Sequence, residues 1–207
     1  MLFTVLSTIL IAVGAYFVGC INPAYLIGKA HGRDIRNEGS QNAGGTNALI
    51  LFGKRVGFFC ILFDIAKAAC VVSAAKVITA SSLGVAVAGT AVILGHMFPF
   101  HMKFKGGKGS ACLTGFVLAY NVQIFLILLL VAAVIALATN YGCFAVIASS
   151  ILFPLVFGVT SHSLICGCIV AVAGVAIILK HQVNLRRIQE GTEFQISYLW
   201  SNNPRIE

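Results

Sequence analysis

The middle of this chain contains a short segment whose residue types suit the binding of phosphate. Residues 103–109 read Lys-Phe-Lys-Gly-Gly-Lys-Gly and carry three cations, three glycines and no acid. Glycines let backbone N–H groups turn toward a ligand, and lysines supply positive charge. We call residues 103–109 the lysine-glycine loop. The phosphate-binding residues predicted in this loop are Lys103, Lys105, Gly106, Gly107 and Lys108.

A second polar segment, residues 38–47, is rich in glycine and in short side chains that form hydrogen bonds. We call it the serine-asparagine loop. The apolar residues 48–52 that follow can begin a helix, and a helix N-terminus presents free N–H groups to an anion. The simpler alternative is that the segment is only a turn. Its candidate ligand-binding residues are Ser40, Asn42, Thr46 and Asn47.

The third polar segment is residues 181–193, which we call the C-terminal segment. Its residues His181, Asn184 and Arg187 recur every third position and can therefore line one side of a helix. An ordinary basic tail is the alternative interpretation. The segment ends in three further candidate site residues, Gly191, Thr192 and Glu193.

Two histidines, His96 and His101, flank Pro99 just before the lysine-glycine loop, at the predicted membrane boundary. His96 is a candidate for substrate binding, and the alternative is a polar residue at the membrane interface. The lysines of the loop have a similar alternative as an anchor to anionic lipid. An anchor does not need the three glycines, so their presence favours a site.

The composition places these segments in an integral membrane protein. Of 207 residues, 59% are hydrophobic and only 10% are charged. The chain therefore has too few polar side chains to cover the surface of a water-soluble globular protein. Several apolar runs approach or exceed the roughly 20 residues of a membrane-spanning helix, and they lack the alternation of strands. We therefore expect an all-α membrane helix bundle that forms a single domain over residues 1–207. No metal, cofactor or nucleic-acid partner is expected.

The distribution of cations predicts the topology. Twelve of the fourteen lysines and arginines lie in the first polar region, the lysine-glycine loop and the C-terminal tail, so the positive-inside rule makes all three cytoplasmic. The apolar N-terminus has no cation and is predicted to be a first transmembrane helix that starts outside. A cytoplasmic C-terminus then requires an odd number of spans. Seven spans result if residues 111–138 break near Tyr120 and Asn121; five spans are the alternative.

Ionisable and sulfur-containing residues also occur within the apolar runs. Asp64 and Lys67 lie three residues apart on one helix face, so we expect them to pair inside the bundle. The pair could either hold helices together or orient the cytoplasmic loops. The seven cysteines are expected to be small buried apolar residues.

The three polar segments together resemble those of the bacterial acyl-phosphate:glycerol-3-phosphate acyltransferases, which are membrane enzymes of phospholipid synthesis. The resemblance spans nearly the full chain. It rests on Gly39-Ser40 with Asn42, Thr46 and Asn47, on Gly95-His96 with Phe98-Pro99 and residues 103–109, and on His181 with Asn184 and Gly191-Thr192-Glu193.

The resemblance implies a seven-helix bundle in the bacterial inner membrane with a cytoplasmic active site. It also implies acyl phosphate as the donor and glycerol 3-phosphate as the acceptor, with lysophosphatidic acid and inorganic phosphate as products. Lys108 would bind the donor phosphate together with Ser40, Asn42 and Thr46. The donor's own phosphate would take the hydroxyl proton, and His181 is the second choice for a general base.

Several positions depart from the family pattern. Ile50 and Gln182 stand where relatives usually have arginine, and Asn140 and Cys143 align with an arginine and a serine. Ile50 and Cys143 fall where the family holds glycerol 3-phosphate. The alternatives are therefore a different acceptor with the same donor, or a non-catalytic paralogue or small anion transporter. The arginines that could replace the missing one are Arg55, Arg186 and Arg187.

Overall fold

The structure, a computed structural model, describes residues 2–199 and the side chains of residues 6–197. Arg205, one of the cations of the predicted cytoplasmic tail, lies outside the described residues. Within residues 2–199 the chain contains helices and no strand, which confirms the all-α prediction. The α-helices are α1 (Leu2–Cys20), α2 (Pro23–Ala30), α3 (Gly45–Phe52), α4 (Lys54–Thr79), α5 (Ser82–Met97), α6 (Ser110–Tyr120), α7 (Val122–Thr139), α8 (Gly142–Thr160) and α9 (Leu164–Gln189), with 3₁₀ turns at Ile35–Asn37, Phe100–Met102 and Ile196–Leu199.

Six helical segments in the described chain are long and apolar enough to cross a membrane. They contain α1 with α2, α4, α5, α7, α8 and α9. The remaining apolar helix, α6, has 11 residues and is about 17 Å long, well short of a hydrocarbon core of about 30 Å. Length and composition therefore give six spans and one short helix, where the sequence predicted seven spans.

The predicted break in the long apolar run at residues 111–138 is confirmed. α6 ends at Tyr120 and α7 begins at Val122. Asn121 caps α7, because its side-chain oxygen accepts a hydrogen bond from the Ile124 N–H at 3.0 Å. The chain reverses here, so that α6 and α7 pack side by side in opposite directions.

The helices pack through close contacts at small residues. α5 is the most buried of the long helices and lies against α1, α4, α6 and α9. A Cβ atom added at Gly19 of α1 would lie 2.3 Å from the Val92 carbonyl oxygen, and one at Gly95 would lie 2.1 Å from the Tyr16 carbonyl oxygen. Such contacts are typical of membrane bundles, because lipid gives no hydrophobic drive for helix association and packing must supply the attraction.

The three polar segments lie at one end of the bundle, which we call the polar end. α4 and α6 begin there, and α5 and α9 end there. At the opposite end, Lys76 donates to the carbonyl oxygens of Ala119 and Tyr120, and the Tyr120 hydroxyl lies 2.7 Å from Thr160 Oγ1. The helix directions thus collect the residues of the polar segments at a single surface.

The cysteines follow the prediction in part. Cys20, Cys60, Cys112, Cys143 and Cys166 are buried, as expected for small apolar residues. Cys70 and Cys168 are exposed on the outer faces of α4 and α9, where the prediction is wrong.

The contact of α1 with α5 predicts a difference between two glycines of the same helix. Gly19→Ala places a methyl group against the backbone of α5 and should destabilise the fold by about 1–3 kcal/mol. Gly14→Ala is the matched control, because a Cβ atom there has nothing within 4 Å. Thermal unfolding midpoints in detergent measure both variants. Equal midpoints would show that the Gly19 contact is not a tight one.

Candidate active site

The serine-asparagine loop is held in shape by Asn47, whose side chain is buried. Asn47 Nδ2 donates to the carbonyl oxygens of Ile35 at 2.6 Å and Glu38 at 3.0 Å. Asn47 Oδ1 accepts from the Ser40 N–H at 2.8 Å. These bonds occupy the amide group, so Asn47 positions Ser40 and does not face a ligand, contrary to the sequence prediction.

Sequence reasoning missed Asn22, which supports the same loop from the end of α1. Its buried amide donates to the Ala43 carbonyl oxygen at 2.8 Å and accepts from the Tyr25 N–H at 2.9 Å. The signal was present in the Asn-Pro pair, because asparagine is favoured as an N-cap and proline at the first helical position.

Arg36, in the 3₁₀ turn just before the serine-asparagine loop, contacts the chain just before the lysine-glycine loop. Its guanidinium donates to the Met102 carbonyl oxygen at 2.7 Å and pairs with Asp34 at 2.6 Å. The hydrogen bond from Arg36 lowers the pKa of Asp34 to about 2, so the pair stays charged at neutral pH.

The lysine-glycine loop differs from the predicted phosphate-binding backbone. The Gly106 N–H donates to the Met97 carbonyl oxygen and the Gly107 N–H to that of His96, each at 3.1 Å. Both amides are therefore occupied by the C-terminal carbonyls of α5, and the expectation that they face a ligand is wrong. Glycine is needed for close packing instead, because a Cβ atom on Gly106 would lie 2.2 Å from the His96 carbonyl oxygen.

Lys108 is the lysine of the loop that reaches the other polar segments. Its Nζ donates to Asn184 Oδ1 at 2.5 Å, and Asn184 Nδ2 donates to Glu193 Oε1 at 2.6 Å. Burial lowers the pKa of Lys108; Glu193 opposes this shift and the nearby Arg187 adds to it. The ammonium group is thus held by side chains of the C-terminal segment in a partly desolvated position.

Lys103 and Lys105 have exposed side chains, and neither ammonium group forms a hydrogen bond or ion pair with another described residue. The structure does not bring them to Lys108, and their contact with substrate stays a prediction. His96 is buried beneath the loop beside Asp64 and Lys67 and does not line the cleft.

The C-terminal segment is shaped by the end of α9. The Gly191 N–H donates to the Ile188 carbonyl oxygen and the Thr192 N–H to that of Arg187, which is the Schellman pattern, and Gly191 has φ +71°. Gly191 and Thr192 therefore turn the chain back so that Glu193 reaches Asn184. The structure gives these two residues a role in chain reversal, where the sequence predicted substrate binding.

Arg187 connects the C-terminal segment to the serine-asparagine loop. Its Nη2 donates to the Ser40 carbonyl oxygen at 3.2 Å. Arg55 and Arg186 are exposed, so Arg187 is the one of the three candidate arginines that reaches Ser40. Ile50 is half-buried and lies one helical turn after Thr46 on α3.

His181 is buried one turn before Asn184 on α9. Its Nδ1 lies 2.8 Å from the Ile177 carbonyl oxygen, and a carbonyl can only accept, so Nδ1 carries a proton. In the neutral ring Nε2 then has a free lone pair, which allows the ring to take up a proton.

The cleft between these segments contains polar groups without protein partners. The Ser40 hydroxyl, the Asn42 amide and the Thr46 hydroxyl form no hydrogen bond with another residue of the described chain. The N-termini of α3 and α6 also have no side-chain cap. Ser40 and Asn42 are half-buried and Thr46 is exposed, so these groups are open to solvent and, together with Lys108, are accessible to an anionic ligand.

Cys143 lies at the start of α8, buried and within electrostatic range of Lys108. Asn140, in the turn before it, is occupied by the chain that follows Glu193. Its backbone oxygen accepts from the Ile196 N–H at 3.0 Å and its Oδ1 from the Ser197 N–H at 2.9 Å. The turn between α7 and α8 therefore lies close to Lys108 and to the chain after Glu193. Contact of Asn140 or Cys143 with a substrate stays a prediction. Gln182 and Val183 are exposed on α9.

An apolar groove begins beside the N-terminus of α6, directly after Lys108 and Gly109. It has a volume of about 110 Å³ and runs between α6, α7 and α8. Its polar lining residues are Ser110, Thr114 and Ser149, and the rest are aliphatic or aromatic.

Comparison with known proteins agrees with this geometry. The sequence model of the family described as glycerol-3-phosphate acyltransferase matches residues 9–191. A glycerol-3-phosphate acyltransferase from Thermoanaerobacter pseudethanolicus is 33% identical over 189 residues, which cover 91% of this chain and 95% of the relative. One from Legionella pneumophila (strain Corby) is 36% identical over 193 residues, which cover 91% and 68%.

Two solved structures are similar over nearly the whole chain. The crystal structure of PlsY, an integral membrane glycerol 3-phosphate acyltransferase, in its glycerol 3-phosphate form superposes with a TM-score of 0.83 at 32% identity. The superposition covers 94% of this chain and 100% of that one. The lysophosphatidic acid form gives a TM-score of 0.80 at 31% identity and covers 93% and 97%. The chain therefore belongs to the glycerol-3-phosphate acyltransferase family of integral membrane proteins.

Proposed function

We propose that this protein transfers an acyl group from an acyl phosphate to the 1-hydroxyl of glycerol 3-phosphate. The products are lysophosphatidic acid and inorganic phosphate. The observation that carries the proposal is the meeting of three polar segments around Lys108, which bonds to Asn184 while Arg187 bonds to the Ser40 backbone. Two cations then flank unpartnered hydroxyl and amide groups, an arrangement suited to two phosphorylated substrates.

The donor phosphate is placed against Lys108, Ser40, Asn42 and Thr46. The hydroxyl oxygen of glycerol 3-phosphate attacks the acyl carbonyl carbon, the bond from that carbon to the phosphate oxygen breaks, and the electron pair leaves with phosphate. Lys108 neutralises the charge that builds on the leaving group, and such fixed charges supply a large part of many rate enhancements. The departing phosphate accepts the hydroxyl proton, and His181 Nε2 is the second candidate acceptor.

The acyl chain is placed in the groove between α6, α7 and α8. The groove is lined mainly by apolar side chains and includes Ser110, two residues after Lys108, so a chain lying in it can put its carbonyl carbon near the ammonium group. Leu128 is the one buried residue of α7, so most of this helix is exposed at the surface that faces the surrounding lipid.

The acceptor phosphate is assigned to Arg187, because Ile50 cannot supply the positive charge that relatives place on α3. Arg187 already lies at the Ser40 backbone, and its guanidinium has further N–H donors for a phosphate. Cys143 leaves room beside Lys108 without adding a strong hydrogen-bond donor.

We also propose seven crossings, with the N-terminus outside and the C-terminus in the cytoplasm of a bacterial inner membrane. Support comes from helix direction, because α6 and α7 run in opposite directions although α6 is short. Support also comes from the distribution of charge. Apart from Lys67, which lies inside a span, and Lys76, every lysine and arginine of the described chain lies at the polar end.

Purified protein with palmitoyl phosphate and labelled glycerol 3-phosphate should release inorganic phosphate and form labelled lysophosphatidic acid in equal amounts, because each transfer forms one of each. Mass spectrometry of the lipid and a phosphate assay measure the two products. Absence of both would refute the proposal. Phosphate release that depends on another acceptor alcohol, with glycerol 3-phosphate silent, would retain the donor and reject the acceptor.

Lys108→Ala should lower kcat/KM for palmitoyl phosphate by about 10²–10³-fold, because it removes the charge at the donor phosphate. Lys54→Ala is the matched control, since it deletes an exposed lysine at the same end of the bundle. In the parent protein, kcat/KM should also decrease as the pH rises, because the Lys108 ammonium loses its proton. Burial lowers the pKa of Lys108, so we expect this decrease to begin at a lower pH than for an ordinary lysine. Unchanged turnover in Lys108→Ala would remove this residue from the site.

Arg187→Ala should raise the KM for glycerol 3-phosphate by about a hundredfold, the effect of losing one charge-assisted hydrogen bond of a few kcal/mol. The KM for palmitoyl phosphate should change much less. Arg186→Ala, which deletes the exposed neighbouring arginine, is the control and should keep both constants near the parent values. Similar effects of the two variants would show that binding of glycerol 3-phosphate depends only on the total positive charge of α9 and not on Arg187 in particular.

A further inference from the structure

Three buried side chains form an ionic cluster below the lysine-glycine loop. Lys67 Nζ lies 2.7 Å from Asp64 Oδ1, a contact that is ionic and lacks hydrogen-bond geometry. The same Nζ lies 3.2 Å from His96 Nδ1 and donates to the carbonyl oxygens of Gly19 at 3.1 Å and Ile21 at 2.5 Å. One ammonium group therefore connects α4 to α5 and to the C-terminal end of α1.

The positive charge of the cluster is supplied by the protein itself. Asp64, His96 and Cys112 have ligand atoms within 4.8 Å of one another, a set that could hold a metal ion. Asp64 Oδ1 and His96 Nδ1, however, lie 3.3 Å apart, and the Lys67 ammonium contacts both of them. The positive charge next to Asp64 and His96 therefore comes from a lysine side chain.

His96 connects this cluster to the lysine-glycine loop. Its carbonyl oxygen accepts from the Gly107 N–H at 3.1 Å. Its ring supports the same residue from below, because a Cβ atom on Gly107 would lie 2.1 Å from His96 Nε2 and 2.8 Å from the Ala43 carbonyl oxygen. Lys108 follows Gly107 directly, and Ala43 lies next to Asn42.

The end of α1 reaches the same point by a second route. Lys67 holds the Ile21 carbonyl oxygen, and the next residue, Asn22, donates to the Ala43 carbonyl oxygen at 2.8 Å. The lysine-glycine loop thus bonds to His96, and the serine-asparagine loop bonds to Asn22, which follows Ile21. Both His96 and Ile21 contact the Lys67 ammonium. Helix packing alone does not require this arrangement, since buried ion pairs are costly and apolar residues of similar volume often replace them without loss of stability.

We propose that Asp64, Lys67 and His96 are positioning residues that hold the lysine-glycine and serine-asparagine loops in register, so that Lys108 faces Ser40 and Asn42. This inference rests on the proposed function for its catalytic consequence. Its structural content, the order of the lysine-glycine loop, is independent of the reaction.

The test is the double variant Asp64→Asn with Lys67→Met, which removes both charges together and leaves neither one buried alone. We expect kcat for lysophosphatidic acid formation to fall by about 10²-fold, the typical cost of misplacing a reacting group by about 1 Å. Amide hydrogen exchange in a peptide covering residues 103–109 should accelerate by up to about tenfold, the effect of weakening one backbone hydrogen bond.

Thr90→Val is the matched control. Thr90 is a buried polar residue of α5 whose hydroxyl donates to the Ile169 carbonyl oxygen at 3.1 Å, so its loss disturbs the packing of α5 on α9 and not the loop. We expect this control to lower the thermal midpoint while leaving kcat and exchange at residues 103–109 near the parent values. A double variant with parental kcat and exchange, or one whose changes match those of Thr90→Val, would overturn the inference.

His96→Asn provides a second test if the double variant does not fold. Asparagine can keep a polar atom near Lys67 but removes the ring edge below Gly107. Faster exchange at residues 103–109 with a lowered kcat supports positioning, and parental values of both refute it. Because exchange is measured without substrate, it still tests the inference if the acyltransferase assay fails.

Discussion

The hydrogen bond from Lys108 to Asn184 is the interaction on which the arrangement of the cleft depends. It joins a loop between α5 and α6 to the last turns of α9, and Asn184 extends the link to Glu193. A lysine in a partly desolvated position needs such partners, because burial disfavours its charged form. The same partners keep the ammonium group near the α6 N-terminus, whose Ser110 lines the apolar groove, and this is where we propose that the donor phosphate binds.

The two loops around Lys108 share one construction principle. Part of the backbone of each loop is bonded within the protein, through Asn47 in one loop and the carbonyls of α5 in the other. At the border of a membrane, unsatisfied backbone groups are costly, so these bonds stabilise the loops. Ligand binding is then left to side chains and to the two uncapped helix N-termini. This explains why glycines that suit a phosphate-binding backbone serve here to let helix and loop approach closely.

Arg187 links two elements that are far apart in the chain. It lies on α9, and its guanidinium donates to the backbone of Ser40 in the serine-asparagine loop. Position 50 on α3 is occupied by the uncharged Ile50. Our assignment of the acceptor phosphate to Arg187 requires only that the guanidinium lie close to the phosphate, because Coulomb attraction depends on distance and not on which helix carries the charge.

Composition and hydropathy by themselves determined the helical membrane fold, the break at Asn121 and the pairing of Asp64 with Lys67, because these follow from local properties of the chain. Residue types identified the three polar segments, and the resemblance of their motifs to known enzymes indicated the family that the comparisons then showed. Only the tertiary structure separated Lys108 from Lys103 and Lys105, assigned Asn47, Gly191 and Thr192 to shaping the chain, and revealed Asn22. Those distinctions depend on contacts between residues that are far apart in the chain, such as Ser40 and Arg187, which are separated by 147 positions. Spacing along the sequence does not predict which of these distant residues lie next to each other.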